Sequence, residues 1–178
     1  MTREQLSKGY VQIYTGDGKG KTTAALGLAL RAAGHGLHTY IGQFMKAYPY
    51  GEVTALQDHP YITLEQYGST CCLLHKSDVK PEDIEKAQQG LKKAKEAMLS
   101  KAYNIIILDE LNIALWFEVL EMEDVMTFLD ARPEQVELVL TGRFAPQELI
   151  ERADLVTEMR EVKHYYQQGV LTRKGIEN

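Results

Sequence analysis

The sequence predicts an α/β fold with a doubly wound, mainly parallel sheet. Strand-like segments alternate with segments of helical periodicity along the 178 residues, as is typical of βαβ units with right-handed crossovers. The segment at 104–110 is almost entirely apolar until two acids end it, which indicates a central strand with both faces buried. A glycine-rich loop joins the first strand to the first helix, where such sheets commonly bind phosphate.

Periodicity and turn residues place the individual elements. Strands are predicted at 9–14, 37–44, 61–66, 104–110, 136–141 and 155–158. Helices are predicted at 23–31, 52–58, from Pro81 through Met98, and at about 111–120, 122–130 and 146–152. Glycines at 34 and 36 should end the first helix, and residues 67–80 should form a loop. No linker or repeat divides the chain, so we predict one domain over residues 1–178.

Composition favours a cytoplasmic protein with no nucleic-acid or membrane partner. The net charge is -5, whereas nucleic-acid contacts need a basic face. No apolar run approaches membrane-spanning length, and the first residues lack the apolar core of a signal peptide. The two cysteines, Cys71 and Cys72, are adjacent, which fits a reducing compartment and a packing role better than a disulfide framework.

The loop after the first strand has the composition of a phosphate-binding loop. It reads Thr15-Gly16-Asp17-Gly18-Lys19-Gly20-Lys21-Thr22-Thr23. Backbone N–H groups and the helix N-terminus that follows form a preformed anion site. We therefore predict that residues 15–23 bind a nucleotide, with Lys21 on the phosphates and the Thr22 hydroxyl on Mg²⁺. Lys19 is either a further phosphate contact or a solvated side chain.

One position of this loop departs from the usual pattern. The pattern G-x-x-x-x-G-K-[ST] begins with glycine, and this chain has Thr15 there, with glycines at 16, 18 and 20 instead. An accidental glycine-rich turn is the alternative interpretation. The strand before the loop and the helix after it favour the phosphate site.

Charged residues follow two later strands and should lie at the same edge of the sheet. Asp109 and Glu110 end the apolar strand, where phosphate-loop enzymes hold Mg²⁺ or position a nucleophile. A helix start enriched in acids is the alternative. Arg143 either neutralises a polyphosphate or is a surface arginine. We predict Lys21, Glu110 and Arg143 as catalytic residues, and Thr22, Asp109 and Glu110 as metal ligands.

Two further segments could border a ligand. Residues 43–52 combine aromatics, a cation and an acid, which suits a wall around a planar molecule, although loop aromatics would look the same. Residues 158–166 have the composition of a substrate-covering loop. His164 lies there, but a lone histidine more often serves as a hydrogen-bonding residue than as a catalyst.

Taken together, these motifs resemble those of the ATP:corrinoid adenosyltransferases. The resemblance covers residues from about 9 to the end of the chain, in family order. It rests on 15–25 in the phosphate loop, 31–36, Gln43-Phe44-Met45-Lys46, Leu108-Asp109-Glu110-Leu111, Ala131-Arg132-Pro133, Leu140-Thr141-Gly142-Arg143, 153–159 and Val162-Lys163-His164.

The resemblance implies a RecA-like P-loop NTPase fold, a homodimer, Mg²⁺, and ATP and a reduced corrinoid as substrates, with a transient reductase partner. In this family cobalt(I) attacks the ribose C5′ of ATP and expels triphosphate, which serves adenosylcobalamin biosynthesis or salvage. The phosphate loop holds the triphosphate in reverse of the usual direction. The irregularity at Thr15 would then suit a differently directed phosphate chain.

This chain departs from the family pattern at one place. Well-known members carry a Phe and a Trp after the glycine that matches Gly68, where they displace the lower cobalt ligand; this chain has Ser69, Thr70 and Cys71.

Two other functions stay open. One alternative is a phosphotransferase, ATPase or nucleoside kinase with Asp109 or Glu110 as base. The other is a corrinoid or nucleotide carrier without turnover.

Overall fold

A computed structural model describes residues 5–69 and 75–177. These residues contain one six-stranded sheet, in which all neighbouring strands pair in parallel and the order is β3-β2-β4-β5-β1-β6. The strands are β1 (Val11–Thr15), β2 (Thr39–Phe44), β3 (Ile62–Tyr67), β4 (Ile105–Asp109), β5 (Glu137–Thr141) and β6 (Leu155–Glu158). The predicted α/β class is confirmed, with β4 near the centre of the sheet.

Helices alternate with these strands. They are α1 (Lys21–Ala33), α2 (Gly51–Leu56), α3 (Pro81–Leu99), α4 (Leu111–Trp116), α5 (Met122–Asp130) and α6 (Gln147–Arg152). Single 3₁₀ turns lie at Lys76–Asp78, inside the predicted loop, and at Tyr165–Gln168. Within the described ranges, no helix has both the length and the apolar character needed to cross a membrane.

Successive residues of β4 pack into two separate cores, one on each face of the sheet. Ile105 and Ile107 join the cluster that contains the buried alanines of α1, whereas Ile106 and Leu108 join the cluster that contains residues of α3 and α5. Side chains alternate between the two faces of a strand, so α1 covers one face and α3 and α5 cover the other. This is the doubly wound arrangement.

The ends of two helices, α4 and α1, differ from the sequence prediction because residues there adopt left-handed backbone conformations. The helix predicted over 111–120 ends at Trp116, where Glu118 takes φ 60° and its N–H donates to the Leu115 carbonyl at 3.0 Å. No glycine marks this stop, so helical periodicity alone extended the helix too far. After α1, Gly36 takes the left-handed conformation with φ 72°, while Gly34 stays right-handed.

The close approach of α3 to β3 leads to a stability prediction. A Cβ on Gly90 would lie 2.6 Å from Cγ of Tyr67, and the Tyr67 hydroxyl is held by Glu65 and Tyr40. The ring therefore cannot turn aside freely. We expect Gly90→Ala to lower the free energy of unfolding by about 1–2 kcal/mol, because overpacking outweighs the gain in helix propensity. Urea denaturation measures the effect.

Gly27→Ala is the matched control for this substitution. Gly27 also lies inside a helix, α1, but a Cβ there would meet no atom within 4 Å. We expect this variant to raise the free energy of unfolding by about 0.5–1 kcal/mol. If both variants are stabilised, the contact between Gly90 and Tyr67 does not restrict the helix.

Candidate active site

Most of the predicted site residues line one cavity at the carboxyl ends of the parallel strands. Its volume is about 620 Å³. Residues 17–23 of the loop and helix α1 form one side, and Lys46, Glu110 and Arg143 contribute charged groups from loops after β2, β4 and β5. In parallel sheets this edge is the usual ligand site. We call this space the nucleotide cavity.

The phosphate loop is shaped by its contact with the end of β6. A Cβ on Gly16, whose φ is 94°, would lie 2.4 Å from the Met159 carbonyl oxygen. The N–H of Gly18 donates to that same oxygen at 2.7 Å. Because the first N–H groups of a helix have no partner within it, Lys21, Thr22 and Thr23 at the start of α1 are better placed than Gly18 to donate to a phosphate.

Lys21 is buried and faces the loop interior. Its ammonium group donates to the carbonyl oxygens of Gly16 at 2.7 Å and Gly18 at 2.8 Å. Burial lowers the pKa of Lys21, while the charge of Glu110 acts in the opposite direction. The lysine also lines the nucleotide cavity, so it is positioned to exchange these neutral acceptors for an anion.

Thr15, the irregular position, lies at the base of the loop rather than at the cavity surface. Its Oγ1 accepts a hydrogen bond from the Ala145 N–H at 3.3 Å, and its carbonyl accepts from the Met159 N–H at 2.8 Å. The threonine thus ties the loop to the segments that follow β5 and β6. Its predicted contact with a nucleotide stays a prediction.

Asp109 is the most enclosed acid of the site, with 1% of its surface exposed. Four side chains donate to its carboxylate. The hydroxyls of Thr22 and Thr141 lie 2.9 and 2.7 Å from Oδ1, and Lys46 Nζ and Gln43 Nε2 lie 2.8 and 3.1 Å from Oδ2. Both oxygens are therefore already satisfied by the protein, and Asp109 is better suited to hold these groups than to bind a ligand.

Glu110, unlike Asp109, is a residue of the cavity lining. Its backbone takes φ 61°, and its N–H donates to Thr141 Oγ1 at 3.0 Å. The residue lines the nucleotide cavity. Burial, followed by repulsion from Asp109, raises the pKa of Glu110, with Lys46, Lys21 and Arg143 opposing the shift. Left-handed backbone at a non-glycine residue is a strain that is typical of functional sites.

Lys46 and Gln43 are site residues that sequence reasoning did not single out. Lys46 pairs with Asp109 and also lies 3.2 Å from Thr22 Oγ1. Burial, the largest single influence, acts to lower the pKa of Lys46, but the charge and hydrogen bond of Asp109 together with the charges of Glu110 and Glu52 outweigh it and raise the pKa. The sequence signal that could have identified them was the 43–46 motif, in which Gln43 lies near the end of β2 and Lys46 follows the strand.

The other predicted residues lie at the cavity rim. Arg143 is exposed and donates to the Asp17 carbonyl at 3.2 Å. Lys19 donates to the Ile176 carbonyl at 3.1 Å. His164 lines the cavity, and its Nδ1 accepts from the Tyr166 N–H at 3.1 Å, so it serves as a hydrogen-bonding residue there.

A second, smaller cavity of about 240 Å³ adjoins the first. Four residues line both spaces: Lys46, Tyr50, Glu110 and Ile113. The rest of its lining consists of Met45, Tyr67, Gly68, Ser69, Phe117 and the acid Asp83. Residues 70–72, which include the predicted packing cysteines, lie outside the described residues. We call this space the second cavity.

The oxygen donors of the site suit a hard cation with few protein ligands. Within residues 5–69 and 75–177, no group of three His, Cys, Asp or Glu side chains could hold a metal. The Thr22 hydroxyl and the Glu110 carboxylate nevertheless both face the nucleotide cavity. Mg²⁺ is commonly bound by one or two such protein oxygens together with water and substrate phosphates, so the donor set fits Mg²⁺.

Comparisons with known proteins point to one family. A family model described as ATP:corrinoid adenosyltransferase BtuR/CobO/CobP matches residues 7–178. A corrinoid adenosyltransferase of Sinorhizobium sp is 35% identical over 172 residues, 96% of this chain and 80% of the relative. That of Pseudomonas aeruginosa is 36% identical over 172 residues, 96% and 84% of the two chains. That of Escherichia coli (strain K12) is 33% identical over 178 residues, 99% and 89%. The chain belongs to the ATP:corrinoid adenosyltransferase family.

Proposed function

We propose that the chain transfers the 5′-deoxyadenosyl group of ATP to the cobalt(I) centre of a corrinoid and releases triphosphate. Family membership supports this proposal. The structural observation that carries it is the shared wall of Lys46, Tyr50, Glu110 and Ile113 between the nucleotide cavity and the second cavity. Two substrates bound in the two cavities would lie next to each other along these residues.

The proposed reaction needs alignment and charge stabilisation more than proton transfer. The cobalt electron pair forms the bond to C5′, and the bond from C5′ to the α-phosphate oxygen breaks with its electrons on the triphosphate. No proton moves in this step. Lys21, Lys46 and Arg143 line the cavity that would hold the leaving group, and fixed cations of this kind stabilise a developing anion.

For the metal, we propose that Thr22 and Glu110 hold Mg²⁺ together with phosphate oxygens. Bound there, Mg²⁺ would neutralise part of the triphosphate charge. Asp109 takes a positioning role in this proposal, because the four donors on its carboxylate orient Thr22 and Lys46. That Asp109 is a direct metal ligand, as expected from the sequence, stays a prediction.

Four expectations from the sequence remain predictions: a single domain over residues 1–178, a homodimer, a transient reductase partner and a cytoplasmic location. Sedimentation of the purified chain would determine the oligomeric state.

The products of the reaction test this proposal directly. We expect incubation with ATP, Mg²⁺ and chemically reduced corrinoid to give alkylated cobalt, seen in the corrinoid spectrum, and triphosphate in equal amount. ADP in place of triphosphate would indicate a phosphotransferase or ATPase. Binding of both substrates without either product would indicate a carrier, and both outcomes contradict the proposal.

Lys21→Ala should reduce turnover far more than stability. Removing the cation from the phosphate site is expected to slow the reaction by about 100-fold or more. The same change removes two hydrogen bonds within the loop and should lower the free energy of unfolding by about 1 kcal/mol. Steady-state kinetics and urea denaturation measure the two effects.

Lys93→Ala is the control for this lysine. Lys93 is exposed and forms a 3.7 Å ion pair with Glu96 on α3. It should leave both turnover and stability nearly unchanged. If Lys21→Ala is unfolded where the parent is stable, Lys21 is chiefly structural.

Glu110→Gln should separate activity from stability. The raised pKa of Glu110 means that the metal-free protein loses stability as pH rises from about 4.5, the ordinary glutamate value, through the raised pKa. The glutamine variant lacks this loss. We therefore expect the variant to be more stable than the parent at pH 8 in EDTA but not at pH 4, while Mg²⁺-dependent turnover falls.

The pH series of urea denaturation curves provides the measurement, with activity at saturating Mg²⁺ recorded beside it. A variant that loses stability equally at both pH values would show that the surroundings do not shift the Glu110 pKa, and a larger loss at pH 8 would show that they stabilise the carboxylate; both outcomes contradict the prediction. Full activity in the variant would exclude Glu110 as a metal ligand.

A further inference from the structure

Asp83 is an acid of the second cavity that the proposed reaction does not use. It lies in the first turn of α3, and 6% of its surface is exposed. Acids are rarely buried to this extent unless they are paired. Its Oδ2 accepts a hydrogen bond from the Lys80 N–H at 2.9 Å, which caps the start of the helix. This bond accounts for one of the two carboxylate oxygens.

The other oxygen, Oδ1, is open to the second cavity. In the part of the chain that the structure describes, no other group donates a hydrogen bond to Asp83. Among the same residues, the fully enclosed side-chain oxygens and nitrogens without a partner are Thr39 Oγ1 and Asn112 Oδ1, so Asp83 Oδ1 keeps accessible surface. Because Asp83 lines the second cavity, Oδ1 is an acceptor that a ligand there can reach.

Asp109 shows how a buried acid is satisfied when the protein supplies all of its partners. With 1% of its surface exposed, Asp109 accepts hydrogen bonds from four side chains. Asp83 accepts one backbone N–H. A carboxylate offers about four lone-pair positions, so most of the acceptor capacity of Asp83 is unfilled. In this respect Asp83 has the environment of a ligand-binding acid, whereas Asp109 has that of a structural one.

The charges around the second cavity favour a neutral donor over an anion. Among the described residues that line it, Asp83 and Glu110 are the acids and Lys46 is the cation. The Lys46 ammonium group already pairs with Asp109 at 2.8 Å. An incoming carboxylate would therefore meet two negative charges and a lysine whose charge is compensated, which is costly away from water. An amide N–H group could donate to Asp83 Oδ1.

The wall that carries Asp83 is held firmly against the sheet. Asp83 and Gly90 lie two helical turns apart on α3 and so share a face of the helix. That face packs on Tyr67, since a Cβ on Gly90 would lie 2.6 Å from Cγ of the tyrosine. Tyr67 also lines the second cavity, and its hydroxyl is held by Glu65 and Tyr40. The acceptor at Asp83 consequently has a fixed position.

We propose that Asp83 selects corrinoids by the side chains at the edge of their ring and favours an amide there over a carboxylate. This inference rests on the proposed function, which makes a corrinoid the occupant of the second cavity. A space of about 240 Å³ holds part of so large a macrocycle, and corrinoids carry acetamide and propionamide groups, or the corresponding acids, around the ring. One such amide donates to Asp83 Oδ1. The chain thus acts on amidated corrinoids ahead of their carboxylate precursors.

The binding of two corrinoids tests this selectivity without turnover. Cobinamide has amides at every acetate and propionate position, whereas cobyrinic acid a,c-diamide has free carboxylates at the positions other than a and c. Each is titrated as the cobalt(II) form into the full chain with ATP and Mg²⁺. Quenching of Trp116, the single tryptophan, reports binding, because its ring lies 4.8 Å from that of Phe117 in the cavity lining.

We expect the Kd of cobinamide to be about tenfold lower than that of the diamide, as one hydrogen bond to a charged group produces. Equal Kd values, or tighter binding of the diamide, would overturn the selectivity and leave adenosyl transfer untouched. Binding of neither corrinoid would overturn the proposed function together with this inference.

Asp83→Asn should reverse the preference. The asparagine carbonyl can still accept from the Lys80 N–H, but its NH₂ group then faces the cavity and donates to a carboxylate. We expect the Kd of cobinamide to rise about tenfold and that of the diamide to fall. Asp78→Asn is the matched control, because Asp78 accepts the His75 N–H at 2.9 Å in the same manner but is not part of the cavity lining.

Both variants remove one negative charge from the chain. Similar changes in the two would show that net charge, rather than Asp83, determines which corrinoid binds. Urea denaturation checks that each variant is folded. Should Asp83→Asn be unfolded, Asp83→Ser keeps a capping oxygen without a charge and should bind the two corrinoids with similar Kd values. A preference like that of the parent in either folded variant of Asp83 would overturn the inference.

Discussion

The buried carboxylate of Asp109 is the constraint around which the site is built. An ionised carboxylate with almost no exposure needs several donors, because an unpaired buried charge costs several kcal/mol. Thr22 from α1, Gln43 and Lys46 from the end of β2, and Thr141 from the end of β5 supply them. Their convergence fixes the phosphate loop relative to three strand ends, so the same hydrogen bonds that satisfy Asp109 also assemble the cavity.

The two adjacent acids consequently lie in different environments. The donors on Asp109 leave its oxygens occupied, while the left-handed backbone at Glu110 turns the next carboxylate toward both cavities. Raising the pKa of Glu110 costs stability in the metal-free protein, and a bound cation would relieve that cost. Strain and repulsion at Glu110 are thus consistent with a residue adapted to a ligand rather than to the apo fold.

Local sequence patterns predicted most of the fold. The phosphate-loop motif predicted the side of the nucleotide cavity that residues 17–23 form. Periodicity marked every strand, and parallel topology then required the strand ends to meet at one edge. The pairing of Lys46 with Asp109 was beyond such reasoning, because it depends on β2 lying next to β4 and joins residues far apart in sequence. The end of α4 was also missed, since Glu118 adopts a backbone that sequence rules assign to glycine.

The phosphate loop alone does not decide which bond of ATP faces a second substrate. Its N–H groups and Lys21 would contact phosphate oxygens, and every phosphate of ATP carries such oxygens. Thr15, whose hydroxyl accepts a hydrogen bond from the Ala145 N–H, is not among the residues that line the nucleotide cavity. The groups beyond the loop therefore matter for the proposed reaction: Lys46, Tyr50, Glu110 and Ile113 line both cavities, so a C5′ carbon placed beside them would face a corrinoid in the second cavity.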